Sequence, residues 1–306
     1  MLHLRSAAAP RAKEVAIIDS SPEYDAFGPW VLPVSEESEV PRVFAAHDID
    51  FLRAQAVLKV PRDVARRDVT PRSHLYDQLL VLTPTELEVL TRRGHRFSVQ
   101  RVARAEVVAV SSGSTLLDGW LTVWAADGSM IDVHFNGSSL PTMTTFADRL
   151  ADWVDESEFS GTSQELERDA LGPLDVGLVN AYNTVAGRRA AFEVLTAYPS
   201  RLPAVRRYRV QRLRRARPRL SGAVLSTGSG DLVVLSRRDW VQHSSQPDVS
   251  TSRTVIRGDR VTAVSVRPDP LLEGCAEVLV HGGAAHLRLI VPADEAPAFT
   301  RARPGG

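Results

Sequence analysis

The chain has 306 residues, of which 43% are hydrophobic, so it is long enough for two domains and apolar enough to bury a core in each. Its 37 basic and 37 acidic residues cancel, which gives the molecule as a whole no electrostatic preference for one kind of partner. The single cysteine, Cys275, excludes intramolecular disulfides and thiolate metal centres, and no stretch approaches the roughly 18 apolar residues of a membrane-spanning helix. We therefore expect a cytoplasmic protein, and we expect no cofactor.

The first part of the chain, residues 1–70, is interpreted as an N-terminal extension that packs on the first domain. Its motif "YDAFGPW" at 24–30 joins three aromatic residues to a Gly-Pro turn. We expect Tyr24, Phe27 and Trp30 to anchor this extension on a core.

Residues 71–157 show short runs of β-branched and aliphatic residues between turn residues, which is typical of an antiparallel meander. The run "SSLPTMTTFADRLADWV" follows. Its apolar residues Met143, Phe146, Leu150 and Trp153 recur at helical spacing, so we predict an amphipathic helix that closes this first domain.

The last hairpin of this domain has a predicted register. A three-residue loop at 126–128, with Gly128 in the left-handed conformation, sets Leu121 opposite Val133. This register gives the strands an apolar outer face, formed by Trp120, Trp124, Met130 and His134. Such a face needs cover. Either the protein's own linker or other repeat covers it, or it is a candidate interface for a partner.

A linker at 158–200 comes next, and we predict that it is mainly helical. Its apolar residues mark a stripe that includes Leu178, Val179, Tyr182 and Leu195. We expect the linker helix to cover the second domain, whose own closing helix is reduced.

The second domain, 201–306, opens with the strongest local charge signal of the chain. The segment 201–219 contains nine arginines and no acidic residue. A segment of this kind attracts phosphate, either of anionic lipid or of nucleic acid, but it also fits a solvated surface or internal pairing. The candidate anion-binding residues are Arg206, Arg207, Arg209, Arg212, Arg214, Arg215 and Arg217.

The two domains repeat each other in sequence. "LLDGWLTV" at 116–123 returns as "LLEGCAEV" at 271–278, and "LTRR" at 90–93 returns as "LSRR" at 235–238. The second copy carries about ten extra residues near "HSSQPDVS". Its last hairpin is predicted to turn at Gly282-Gly283, which sets Val278 opposite Leu287. Repetition at this length predicts two copies of one domain.

These repeats resemble the bacterial PH-like domain, on the strength of the "LTPTELEVLTRR" hairpin, the "VARAEVVAV" strand, the "LDG" turn and the closing amphipathic helix. The flanking "YDAFGPW" and "KVPRDVARRD" are similar to segments of an uncharacterised group of bacterial proteins that carry such domains. The resemblance implies two PH-like antiparallel β-barrel or sandwich domains, an α+β fold that is mainly β. PH-fold proteins bind phosphoinositides through a basic first hairpin loop, whereas the loops here, "TPTE" and "TGSGD", are not basic.

Catalytic motifs are missing from the sequence. No GxxxxGK[ST], HExxH or GxSxG pattern occurs. We therefore expect a non-enzymatic binding or scaffold protein with an unknown protein partner. The alternative is a peripheral adaptor that binds an anionic membrane or a nucleic acid through 201–219.

Overall fold

The structure is a computed structural model, and it describes residues 20–152, 163–187, 192–205, 218–228, 230–243 and 248–301. Their strands form four antiparallel sheets, of five, seven, three and two strands, with few helices between them. The prediction of a mainly β fold is therefore confirmed. None of these sheets closes on itself within the described ranges, so the predicted barrel is not found and open sheets pack face to face instead.

The N-terminal part forms a five-stranded sheet whose strands follow chain order. Its first two strands belong to residues 20–70, so the expected extension is partly built into the sheet. The rest of that segment covers one face of the sheet, where Phe27 and Phe44 are buried but Trp30 is exposed. The elements are helix α1 (Pro22–Asp25) and strands β1 (Leu32–Pro33), β2 (Ala56–Pro61), β3 (Tyr76–Leu82), β4 (Glu86–Arg93) and β5 (Arg96–Ala103).

A second group of strands follows, closed by the predicted helix. Leu121 lies opposite Val133, and Gly128 has a φ of 87° in the loop, so the predicted register and turn are confirmed. The helix buries Met143, Phe146 and Leu150 on one side, as expected, and the fourth residue of the predicted stripe, Trp153, lies outside the described residues. The elements are β6 (Val107–Ser114), β7 (Asp118–Ala125), β8 (Met130–Asn136) and α2 (Leu140–Leu150).

The linker is only partly helical. Its helix α3 buries Leu178, Val179 and Tyr182 against strands of the second repeat, as predicted. Residues 193–198 form a strand instead, because they pair along their length with an aliphatic strand of the second repeat. The elements are α3 (Val176–Ala186), β9 (Glu193–Tyr198), β10 (Arg219–Leu220), β11 (Ala223–Gly228), β12 (Asp231–Ser236), β13 (Val241–Gln242) and β14 (Thr251–Ile256).

The last hairpin turns one residue later than predicted. Its turn residues are Gly283 and Ala284, with Gly283 at a φ of 62°, and Val278 lies opposite Leu289 instead of Leu287. A two-residue change of register leaves every side chain on its predicted face. The elements are β15 (Ala263–Pro268), β16 (Cys275–Gly282), β17 (Ala285–Pro292) and the six-residue α4 (Ala296–Arg301), which is shorter than α2 as expected.

The central seven-stranded sheet joins the two repeats. Its order is β8-β7-β6-β14-β12-β11-β9, and the junction is the antiparallel pairing of β6 with β14. The five-stranded sheet, α2 and α3 pack on one face of it. The three-stranded sheet β15-β16-β17 and α4 pack on the other face. The two sequence repeats therefore share one sheet, and a further apolar cluster lies on the far face of the five-stranded sheet.

Candidate functional site

Three of the four predicted interface residues line one cavity. Trp120, Trp124 and His134 lie on the outer face of β7 and β8, and this face forms the floor of a cavity of about 390 Å³. The opposite wall is strand β17 of the second repeat. The fourth residue, Met130, lies beside the cavity with 51% of its surface exposed.

A glycine on the neighbouring strand positions Trp120. Gly113 lies opposite Trp120 in the β6–β7 pairing, and a side chain at Gly113 would collide with the indole ring. The ring therefore lies across bare backbone, with the guanidinium of Arg238 stacked 4.7 Å from its centroid. As a result only 8% of Trp120 is exposed.

Of the two alternatives for this apolar face, cover by the other repeat describes the two tryptophans. Trp124 is half-buried and packs against the core under the three-stranded sheet, together with Trp240. Met130 and His134 stay exposed, so the part of the face that remains accessible lies along the edge strand β8.

Hydroxyl groups form the polar floor of the cavity. Thr254 Oγ1 donates to Ser111 Oγ at 3.0 Å, and Ser111 Oγ lies 3.0 Å from Ser252 Oγ. Three hydroxyls joined by two hydrogen bonds retain one further proton to donate. Nearby, Thr122 Oγ1 donates to the carboxylate of Asp132 at 2.7 Å.

The mouth of the cavity carries charged side chains of the second repeat. Arg238 and Asp239 come from the loop after β12, and His286 and Arg288 from β17. Arg288 also donates to Glu277 on the outer face of its own sheet. Charges of both signs and three indoles therefore surround a concave space, which suits a ligand that offers both apolar and polar groups.

A larger groove of about 890 Å³ adjoins the cavity and shares Asp132, His134 and Arg238 with it. This groove runs between the edge of β8 and the strands β3 and β4. Two glutamine side chains donate hydrogen bonds to backbone carbonyls of β8 along this edge. Gln78 Nε2 donates to the Asp132 carbonyl at 3.5 Å and Gln100 Nε2 to the Met130 carbonyl at 3.3 Å. No other strand pairs with this edge in the described residues.

Only the two ends of the arginine-rich segment lie within the described residues. Arg201 forms an ion pair with Asp294 at 3.1 Å, and Arg219 lies in β10. The seven candidate anion-binding residues lie outside the described residues, so their role stays a prediction: Arg206, Arg207, Arg209, Arg212, Arg214, Arg215 and Arg217.

The described residues contain no group of three or more His, Cys, Asp or Glu side chains that could hold a metal ion. None of the helices within the described ranges is long and apolar enough to cross a membrane.

The sequence predicted residues on the floor of the cavity but none on its opposite wall. Arg238, His286 and Arg288 reach the floor only because β6 pairs with β14, and no local pattern encodes that pairing. Arg238 itself ends the repeated "LSRR" motif, which marked the repeat but gave no sign of a site. Comparisons of the chain with models of protein families, with curated proteins and with solved structures give no match.

Proposed function

We propose that this chain is a non-enzymatic binding or scaffold protein, built on two PH-like repeats, whose partner engages the accessible side of β8. Support for the PH-like repeats comes from element order. Each repeat is an antiparallel meander followed by a helix, α2 in the first and α4 in the second.

The observation that carries the binding proposal is the continuity of the cavity with the groove. Together they form a concave surface on both sides of β8, with an open strand edge between them. Open edges and concave, partly aromatic surfaces are the features through which proteins bind other polypeptides.

Site-specific photocrosslinking tests the proposal, and the chain is suited to it. Cys275 is buried, so a Met130→Cys variant has a single reactive thiol at the site. Labelled with a benzophenone and illuminated in an extract of the cells that make the protein, it should form an adduct of discrete mass. A His134→Glu change in the same variant should lower the yield about fivefold, the effect of losing about 1 kcal/mol of contact.

The matched control is Leu52→Cys, because Leu52 is fully exposed and lies outside both the cavity and the groove. Equal adducts from positions 130 and 52, or none from position 130, would refute the proposed binding surface.

A further inference from the structure

One turn of the repeat is covered in the second copy and bare in the first. The sequence Leu-Leu-acid-Gly occupies 116–119 and again 271–274. In the second copy Leu272 is 4% and Leu271 37% exposed, whereas in the first copy the matching Leu117 and Leu116 are 72% and 82% exposed. Two adjacent leucines this exposed are unusual for a surface that binds nothing.

An extended segment covers the turn of the second copy. Residues 201–205 run past it, Val205 forms an antiparallel bridge with Leu272, and the Glu273 N–H donates to the Ala204 carbonyl at 2.8 Å. The covered leucine then packs with Val205 in a small apolar cluster that includes Cys275. The cover is thus an aliphatic segment that binds through backbone and side chain together.

The first copy lacks this cover because its corresponding segment packs elsewhere. That segment, residues 62–75, follows β2 as residues 199–222 follow β9. It buries Val69 and Leu75 on the far face of the five-stranded sheet, in the cluster of Phe27 and Phe44. Nothing in the described chain replaces it over Leu116 and Leu117.

The groove provides a path for such a segment. Leu117 lines one end of it, and the open edge of β8 lies alongside. Because the carbonyls of Met130 and Asp132 face away from β7, the peptide group of His134 does so as well. The amides of Gln78 and Gln100 occupy positions that the backbone of an added strand would take.

We propose that the turn at 115–118 and the adjoining edge of β8 bind an extended aliphatic segment of a partner polypeptide, in the way that residues 201–205 bind the turn of the second repeat. This inference rests on the proposed binding function and names the partner's chemistry. A second copy of the chain is a poorer occupant, because its own residues 201–205 are already bound to Leu272.

Selection from a library of random linear peptides displayed on phage tests the inference. The immobilised full chain should enrich peptides with an aliphatic residue at a fixed position, and a synthetic copy of the most enriched peptide is then the probe. Leu117→Asp should weaken its binding at least tenfold, because one leucine contact is lost. Hydrogen exchange of the His134 amide should slow when the peptide binds.

Leu52→Asp is the control, since it replaces a fully exposed leucine away from the turn and should leave peptide binding unchanged. Thermal melting of both variants checks folding. Absence of enrichment, or peptide binding that Leu117→Asp leaves intact, would overturn the inference. So would dimers of the chain that dissociate on the same substitution. A Met130 photoadduct without peptide enrichment would leave the proposed function standing and refute only the extended-segment partner.

Discussion

Glu277 lies on the outer face of β16 between two arginines. Arg267 Nε donates to it at 2.5 Å from β15, and Arg288 donates from β17. These hydrogen bonds lower the pKa of Glu277 from an ordinary value of 4.5 to about 2. A carboxyl with a lowered pKa in the folded state stabilises the protein above its unfolded pKa and loses that contribution as the pH falls.

Glu277→Gln should therefore lower the free energy of unfolding by about 1 kcal/mol at neutral pH, since both arginines are largely exposed to solvent. The difference from the unmodified protein should shrink between pH 4.5 and about 2, the range between the unfolded and folded pKa values. Urea unfolding over this pH range measures it. Glu273→Gln, at an exposed position on the preceding turn, is the control, and a difference that stays constant down to pH 2 would contradict the prediction.

Several residue-level features were predictable because they depend on short-range geometry. Gly128 could be assigned to a left-handed turn since only that turn gives both copies the same faces. The turn at Gly283-Ala284 was predicted one residue too early, because two adjacent glycines satisfy the turn requirement equally well. Contacts with the neighbouring loop select the turn at Gly283-Ala284. Gly283 lies against Ala126, and the Ala284 N–H donates to the Ala126 carbonyl at 2.6 Å.

At the level of elements, a buried ion pair ties α3 to the second repeat. Asp175, which precedes α3, pairs with Arg237 at the end of β12 at 3.2 Å, and both side chains are almost fully buried. Asp175 also accepts from the Ser200 N–H at 2.7 Å, and Arg237 donates to the Ser250 carbonyl at 2.7 Å. These hydrogen bonds satisfy the two charged side chains, which are buried away from water.

Asp175→Ala should lower the free energy of unfolding by about 3–5 kcal/mol, because it leaves the guanidinium of Arg237 buried without its counter-charge. Equilibrium unfolding in urea measures the change. Asp294→Ala, which removes the exposed partner of Arg201, should cost about 1 kcal/mol or less. Similar losses in the two variants would show that burial does not set the strength of the Asp175 pair.

The elements themselves were predicted unevenly. The helix α2 and the stripe of α3 were recognised because their apolar residues have a clear helical period. β9 was assigned to a helix since Leu195 continues that stripe by chance, and its strand form depends on pairing with β11. An edge position of this kind is set by a tertiary contact that outweighs local preference.

At the scale of the molecule, the junction of β6 and β14 is what the sequence could not reveal. The repeated letters predict two copies, and the two segments follow a similar order of strands and closing helix, with β10 and β13 added in the second. They do not predict that one copy's strand continues the other's sheet. Strand alternation fixes which face a residue occupies, but it does not select the partner strand.

This junction predicts that the repeats unfold together. Val110 of β6 lies opposite Val255 of β14, and both are buried in the shared core. Val110→Ala should cost about 2 kcal/mol through lost packing. Because the sheet is continuous, the loss should lower the urea midpoints of both repeats equally. Hydrogen exchange at increasing urea can follow β4 and β16 as separate reporters. A lowered midpoint for β4 with an unchanged midpoint for β16 would mean that the two repeats are independent folding units.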